Sequence, residues 1–275
     1  MAMQTPALAK PLLAPLGPGG RALGVGLETL LVCNEFDAGS MRELLTGTGR
    51  VVTGSPSGSM ILGLLGRCFN MASQGIAGNN YGWSAPTISN SIRYTLMSVV
   101  RWTGSDGAGF DDFWCVVNSS KMFNGIGSSA ASGNFAYRVN YGTAVTLSGP
   151  AKETTAVHVM IGITRSSTVH ELWLDGALVA SSTSSTGSTI ASRTTAMIGS
   201  MTGLAGQGAE HYLDAAWGRD LLPAEIAELT ADPWQLVDWG IASDSWLGGA
   251  TAGGGAAPSP FPYRPRVWTD YRLRR

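Results

Sequence analysis

Val157-His158-Val159-Met160-Ile161-Gly162-Ile163-Thr164 opens the stretch that decides the fold. Val157, Val159, Ile161 and Ile163 fall on one side, the period-two signature of a half-buried strand. After Arg165-Ser166-Ser167-Thr168 comes a second strand, His170-Glu171-Leu172-Trp173-Leu174, followed by Asp175-Gly176. Asp-Gly suits a two-residue hairpin turn that needs positive φ, so Ala177-Leu178-Val179-Ala180 is expected to fold straight back. Thr195–Gly199 and His211–Trp217 read as two more strands. Only then does a short helix appear, with Pro223 in its first turn, Glu225 and Glu228 on a polar side, Ile226 and Leu229 as apolar neighbours, and Pro233 as its stop.

Working outward, Tyr94–Trp102, Phe113–Val117 and Phe135–Tyr141 are further short strands. Gly- and Ser-rich loops separate them, notably 103–109 and 118–133. Many short strands with such turns indicate an all-β chain, a two-sheet antiparallel jelly-roll β-sandwich with one short helix. A one-residue slip would turn each core face outward, so the alternations carry information.

The run Leu172–Ala180, then Met197-Ile198-Gly199, then Leu213–Trp217, then Leu222–Leu229 resembles the second half of laminin-G-like, concanavalin A-like jelly-roll domains. Leu31–Phe36 looks like that family's first strand and Gly66–Met71 like its second, so the resemblance covers about residues 27 to 239. Asp232-Pro233-Trp234-Gln235-Leu236 is similar to a segment of the laminin-G-like proteins of tailed-phage virions. The domain family spans glycan binding, adhesion and structural roles, so fold does not settle function.

Composition bounds the function classes. The chain has 275 residues, 44% of them hydrophobic, enough for one sizeable sandwich with short tails. Its net charge of −1 offers no global attraction to nucleic acid or to an anionic membrane. Only 13% of residues are charged, against about 25% in ordinary domains, so copies repel one another weakly. That favours a homo-oligomer or a symmetric array. No run of 18 apolar residues announces a transmembrane helix, and the N-terminus lacks the basic-then-apolar pattern of a cleaved signal.

Cys33, Cys68 and Cys115 are an odd number and read as buried small hydrophobes, with a Cys33–Cys68 bridge open if the first two strands pair. His158, His170 and His211 sit in strands without metal-ligand spacing and are expected on polar faces. Glu35 and Asp37 share a strand face, as paired hydrolase carboxylates would, but Ser40 stands where a third acid is needed. Gly54-Ser55-Pro56-Ser57-Gly58 has Pro at its centre and no helix behind it, so it is no nucleophile elbow. Gly17-Pro18-Gly19-Gly20 lacks the Lys-Ser/Thr of a phosphate loop. No catalytic residue and no nucleotide cofactor is expected.

Four segments follow: an extended N-terminal arm (1–26), the sandwich (27–239), a Gly/Ala-rich linker (240–257) and a C-terminal arm (258–275). The prolines of the first arm exclude a helix or central strand, yet Leu8, Leu12, Leu13 and Leu16 recur through it, which points to docking along a neighbouring subunit. The second arm starts polyproline-like and carries Phe261, Tyr263, Arg264, Arg266, Trp268 and Tyr271, the residue types of interface hot spots. Without a basic groove behind them they indicate protein contact rather than nucleic acid.

Two ligand sets are candidates at the loop ends. Asp106, Asp111 and Asp112 supply hard oxygen ligands for calcium, an ion that laminin-G-like domains often bind at one rim, although a solvated loop is the expected reading. Tyr81, Trp83, Trp102 and Phe110 offer faces for stacking on a sugar, with closure of the sandwich ends as the plainer role. Taken with the resemblance, these residues imply a non-enzymatic structural component of a tailed-phage virion, either a capsid decoration or head fibre or a tail accessory protein. Such a protein would be made in the host cytoplasm and contact capsid or tail subunits through its arms. The alternative is a lectin-like module for host surface polysaccharide.

Overall fold

A computed structural model of the chain describes residues 7–8, 23–33, 44–45, 51–53, 58–71, 80–84, 89–104, 110–117, 122–129, 133–141, 143–187, 195–199 and 208–238. The strands are β1 (Ala7–Leu8), β2 (Leu27–Val32), β3 (Val51–Thr53), β4 (Gly58–Gly63), β5 (Gly66–Met71), β6 (Asn80–Ser84), β7 (Tyr94–Trp102), β8 (Phe110–Val117), β9 (Met122–Ser129), β10 (Asn134–Asn140), β11 (Ala144–Ala151), β12 (His158–Thr164), β13 (His170–Leu174), β14 (Ala177–Ser182), β15 (Thr195–Gly199), β16 (Ala209–Trp217) and β17 (Val237–Asp238). Helix α1 (Pro223–Ala231) and a 3₁₀ turn (Pro233–Leu236) lie between the last two.

Among the described residues fifteen of these strands form two antiparallel sheets, a β-sandwich, and β1 pairs β17 apart from them. The seven-stranded sheet runs β11-β10-β9-β8-β15-β6-β3, and the eight-stranded sheet runs β14-β13-β12-β7-β16-β5-β4 with β2 also on β16. The Asp175-Gly176 hairpin forms as read: φ is 50° and 82° at its two central residues, and β13 pairs β14. Positive φ at both central residues suits the right-handed twist of the flanking strands.

Between the sheets, Phe69, Tyr94, Leu96, Val100, Met160 and Leu172 meet Trp114, Val116, Ile126, Phe135, Tyr137 and Ile198. The outer face of the eight-stranded sheet is also covered. There Met97, Val99, Val159, Ile161, Ile163, Leu213 and Trp217 pack with Leu221, Ile226, Leu229 and Leu236 of the helical segment. Burying Ile226 and Leu229 contributes about 1.5–3 kcal/mol each.

This third layer corrects the reading of β12 as half-buried, because all seven of its residues are buried. The face that carries His158, Met160, Gly162 and Thr164 is the interior. Gly162 has no side chain because a Cβ there would lie 2.4 Å from Cδ2 of Tyr137 and 2.8 Å from Cγ2 of Ile126. The same double covering overturns the expectation of polar-face histidines: His158, His170 and His211 are all buried.

Glu225 departs from its expected polar side as well. Its carboxylate is fully buried, accepts from the Leu222 backbone N–H at 2.7 Å and takes the Arg219 guanidinium at 2.6 and 2.8 Å. Arg219 in turn donates from Nε to the Val25 carbonyl, and Trp217 donates its indole N–H to the Leu23 carbonyl at 2.7 Å. The helix start and the turn before β2 are therefore one unit.

Cys33, Cys68 and Cys115 are buried and free. Strands β2 and β5 do not pair; they lie end to end along β16, with Cys33 in the intersheet core and Cys68 in the core under the helix. A bridge between residues on opposite faces of one sheet is excluded by geometry. Burial pushes the Cys68 thiol up to about 12, and burial with the nearby Asp214 carboxylate raises Cys33 well above its ordinary value.

Other differences follow from composition. Met122–Ser129, inside a Gly/Ser-rich stretch read as a loop, is strand β9 between β8 and β10. Small residues are tolerated there because Asn124 and Ile126 supply the buried side chains. Ala7 and Leu8 pair with Asp238 and Val237 of their own chain.

Candidate functional site

One end of the sandwich gathers the chemistry-bearing side chains. It comprises the end of β7, the starts of β10, β12 and β16, the Asp175-Gly176 turn, and residues 152–156 linking β11 to β12. Lys152 anchors the link by donating its backbone N–H to the Gly133 carbonyl at 3.0 Å, while the Thr103 N–H reaches the Gly208 carbonyl at 3.0 Å.

Trp102 closes β7. Its ring packs against the edge of the intersheet core, and the Lys152 ammonium stands 4.4 Å from the ring centroid, a cation–π contact. The indole Nε1 is buried without a hydrogen-bond partner, an unused donor in a residue that is otherwise half-buried.

Beside it, Arg101 donates from Nε to Glu210 Oε2 at 2.8 Å, makes a second contact from its terminal nitrogen to Oε1, and donates to the Thr154 carbonyl at 3.1 Å. The hydrogen-bonded carboxylate holds the guanidinium protonated above its ordinary range, against the opposing effect of burial. Glu210 also accepts from the Tyr212 hydroxyl at 2.7 Å.

His158 occupies the inner side of this rim. Its Nδ1 is 2.8 Å from Asp175 Oδ2 and its Nε2 is 3.3 Å from Glu153 Oε1. Phe135 meets the imidazole edge-on, with ring centroids 5.0 Å apart. Asp175 uses its other oxygen to accept from the Val159 N–H at 2.9 Å.

The structure scatters the aromatic candidates. Tyr81 and Trp83 lie in β6, opposite Ile198 and Ala196, within the seven-stranded sheet rather than at a loop end. Trp102 and Phe110 end β7 and begin β8. Asp111 and Asp112, expected in a loop, are strand residues opposite Ser128 and Gly127, and Asp106 lies outside the described residues. So do Leu12, Leu13, Leu16, Phe261, Tyr263, Arg264, Arg266, Trp268 and Tyr271, together with Glu35 and Asp37. Among the described residues no group of three His, Cys, Asp or Glu side chains is placed to hold a metal ion.

Sequence reasoning missed Arg101, Lys152, Glu153 and Asp175 as rim residues. A signal existed for two of them: Lys152-Glu153 is the single charged pair in the long neutral stretch from Val139 to Thr164. In a charge-poor chain such an isolated pair marks a chain reversal that stays wet.

Among the described residues at this end, Trp102 with Lys152 lies on the intersheet side of β7, whereas Arg101 and Glu210 pair on the opposite face of the sheet, beside Tyr212 and Cys68.

No protein-family model matches the chain, and no curated protein sequence matches it. Solved structures do resemble it. The sialidase of Trypanosoma rangeli superposes with a TM-score of 0.56 at 14% identity, covering 80% of this chain and 36% of that one. The binding domain of Paraclostridial Mosquitocidal Protein 1 gives 0.58 at 13% identity, covering 76% and 52%. The binding domain of Botulinum Neurotoxin DC in complex with SialylT gives 0.55 at 11% identity, covering 74% and 51%. This chain spans about a third of the sialidase's length and about half of the toxin binding domains'; the likeness is one of β-sandwich fold.

Proposed function

We propose that this chain is a lectin-like β-sandwich that binds a glycan at the Trp102 rim and does not turn it over. The observation that carries the reading is the half-buried Trp102 indole at the end of β7 with the Lys152 ammonium over its ring, an aromatic surface with a mobile donor beside it for the apolar face and hydroxyls of a sugar. The fold shared with a toxin binding domain solved with SialylT, and with a sialidase also solved with sialic acid, supports it.

Calorimetric titration of the full chain with a sialylated trisaccharide and with its asialo counterpart tests the idea. Saturable binding of the neutral sugar, lost in Trp102→Ala at unchanged melting temperature, is the expected result. Absence of binding to both sugars, or full binding by the variant, overturns it. Release of product from a fluorogenic sialoside, above a buffer blank, would instead favour an enzyme.

A second reading, a structural component of a tailed-phage virion, rests on the resemblance of Asp232–Leu236 and on the low charge content. The two readings are compatible, since a particle protein can display a glycan-binding sandwich. Capsid or tail subunits would then hold it through its terminal segments. Mass spectrometry and cryo-electron microscopy of native particles decide the matter: the chain with symmetric density supports the virion role, and its absence from particles removes it.

A further inference from the structure

The hairpin formed by β4 and β5 ends the eight-stranded sheet, and it is built in an unusual way. Among the described strands β4 pairs with β5 alone, and its other backbone edge has no partner among the described residues. Leu62 near its end is 80% exposed and Leu64 in the turn 47%. Exposed edges of soluble proteins normally carry charges, prolines or bulges that prevent pairing with another sheet. β4 reads Gly58-Ser59-Met60-Ile61-Leu62-Gly63 and contains none of the first two; its pairing with β5 runs without a register shift.

The tip is held in place. The Tyr212 hydroxyl accepts from the Leu64 N–H at 2.9 Å while donating to Glu210, which Arg101 clamps. Gly63 lets this happen, since a Cβ there would stand 2.3 Å from the Tyr212 oxygen and 2.7 Å from Cys68 Sγ. The leucines are therefore presented on a fixed support, which lowers the entropy a partner must remove on binding.

The opposite side of the sandwich differs. There the terminal strands β11 and β14 approach each other, with Val179 reaching the Gly149 position, and β11 carries Pro150.

We propose that the β4 edge is a self-association surface, on which β4 of a second copy of this chain pairs antiparallel across a two-fold axis and the two Leu62 side chains are covered. An antiparallel strand is its own complement under two-fold symmetry, so one patch serves both subunits. Charge agrees with this occupant. The edge is neutral and the whole chain carries a net charge of −1, so two copies meet without repulsion.

Light scattering coupled to size exclusion tests the proposal on the full chain, comparing wild type, Leu62→Lys and, as a control on an exposed leucine of β14 away from this edge, Leu178→Lys. The expected result is a two-chain particle for wild type and Leu178→Lys, and a single chain for Leu62→Lys. Hydrogen exchange adds a readout that does not depend on a variant: amides of 58–63 should gain at least tenfold protection on going from dilute to concentrated protein. A wild-type monomer at all concentrations, a Leu62→Lys variant of unchanged mass, or dissociation by Leu178→Lys alone each overturns it. So does sedimentation of the monomer with neutral phosphatidylcholine vesicles through Leu62, which would make lipid the occupant.

Discussion

His211 Nδ1 stands 3.0 Å from Asp214 Oδ2 inside the sandwich, and neither side chain reaches solvent. Residues three apart in a regular strand face opposite ways; the register shift at Tyr212 brings these two to one face. Asp214 also accepts from Ser98, with the Cys33 thiol 4.0 Å away. Asp214→Ala strips this group of its acceptor and should lower stability by about 3–5 kcal/mol, with Asp214→Asn milder. Urea unfolding measures both; a wild-type midpoint for the alanine variant would mean that the network is not structural.

Gly162 is a point of close approach between the sheets. Gly162→Ala must displace the Tyr137 ring, which is itself tied to Asn124 and Thr164 at 2.8 Å each. A loss of about 1–3 kcal/mol is expected from overpacking. A neutral or stabilising effect in thermal unfolding would show that the ring has room to move.

The Arg219–Glu225 pair supports a double-mutant cycle. Arg219→Met leaves a buried carboxylate alone and should destabilise by about 3–5 kcal/mol, whereas Arg219→Met combined with Glu225→Met should lose much less. If the two single and the double variants prove additive, the pair contributes nothing beyond its parts.

Stability should fall with acid in a way that His170 governs in part. Burial lowers the pKa of this imidazole below its ordinary 6.5, against backbone groups of Ser184 and Ser167. The unfolded chain therefore takes up the proton first, and the contribution is complete above the unfolded value and lost as pH falls through the folded one. The urea midpoint should drop between about pH 7.5 and 5.5, and His170→Gln should flatten that drop. An identical slope in the variant would assign the effect elsewhere.

Asp111 and Asp112 are strand residues, a poor start for the flexible oxygen cage that calcium takes. The melting temperature is expected to be the same in calcium and in chelator; a rise of several degrees with calcium would restore an ion site that includes Asp106.

The path from sequence to fold was most legible where one face met one environment. The Asp175-Gly176 hairpin, the strands from His158 to Trp217 and the limits of α1 between Pro223 and Pro233 all follow from local chemistry. What alternation does not reveal is a second covering layer. Val157–Thr164 reads half-buried because its inner face carries His158 and Thr164, whose Nδ1 and hydroxyl meet Asp175 and Tyr137, residues 17 and 27 positions away. Strand β9 escaped notice because Gly125, Gly127, Ser128 and Ser129 have turn-like composition, and only pairing on both sides makes them a strand. Of the rim, Trp102 was legible as an aromatic at a strand end. Glu210, far along the chain from the Arg101 it clamps, was not, because register across β7 and β16 decides that meeting.

Strand β16 lies between β7 on one flank and β5 and β2, end to end, on the other. Leu30 faces Ala215 across this seam, so the first long strand to leave the ribosome waits for one of the last. Through most of synthesis β2 has apolar residues and no strand to lie against, and β5 has β4 alone on one flank. Closure of the seam is a contact of large sequence separation, which folds slowly, and a nascent chain stalled before Ala209 is expected to leave the apolar residues of β2 exposed to aggregation or to capture by a chaperone.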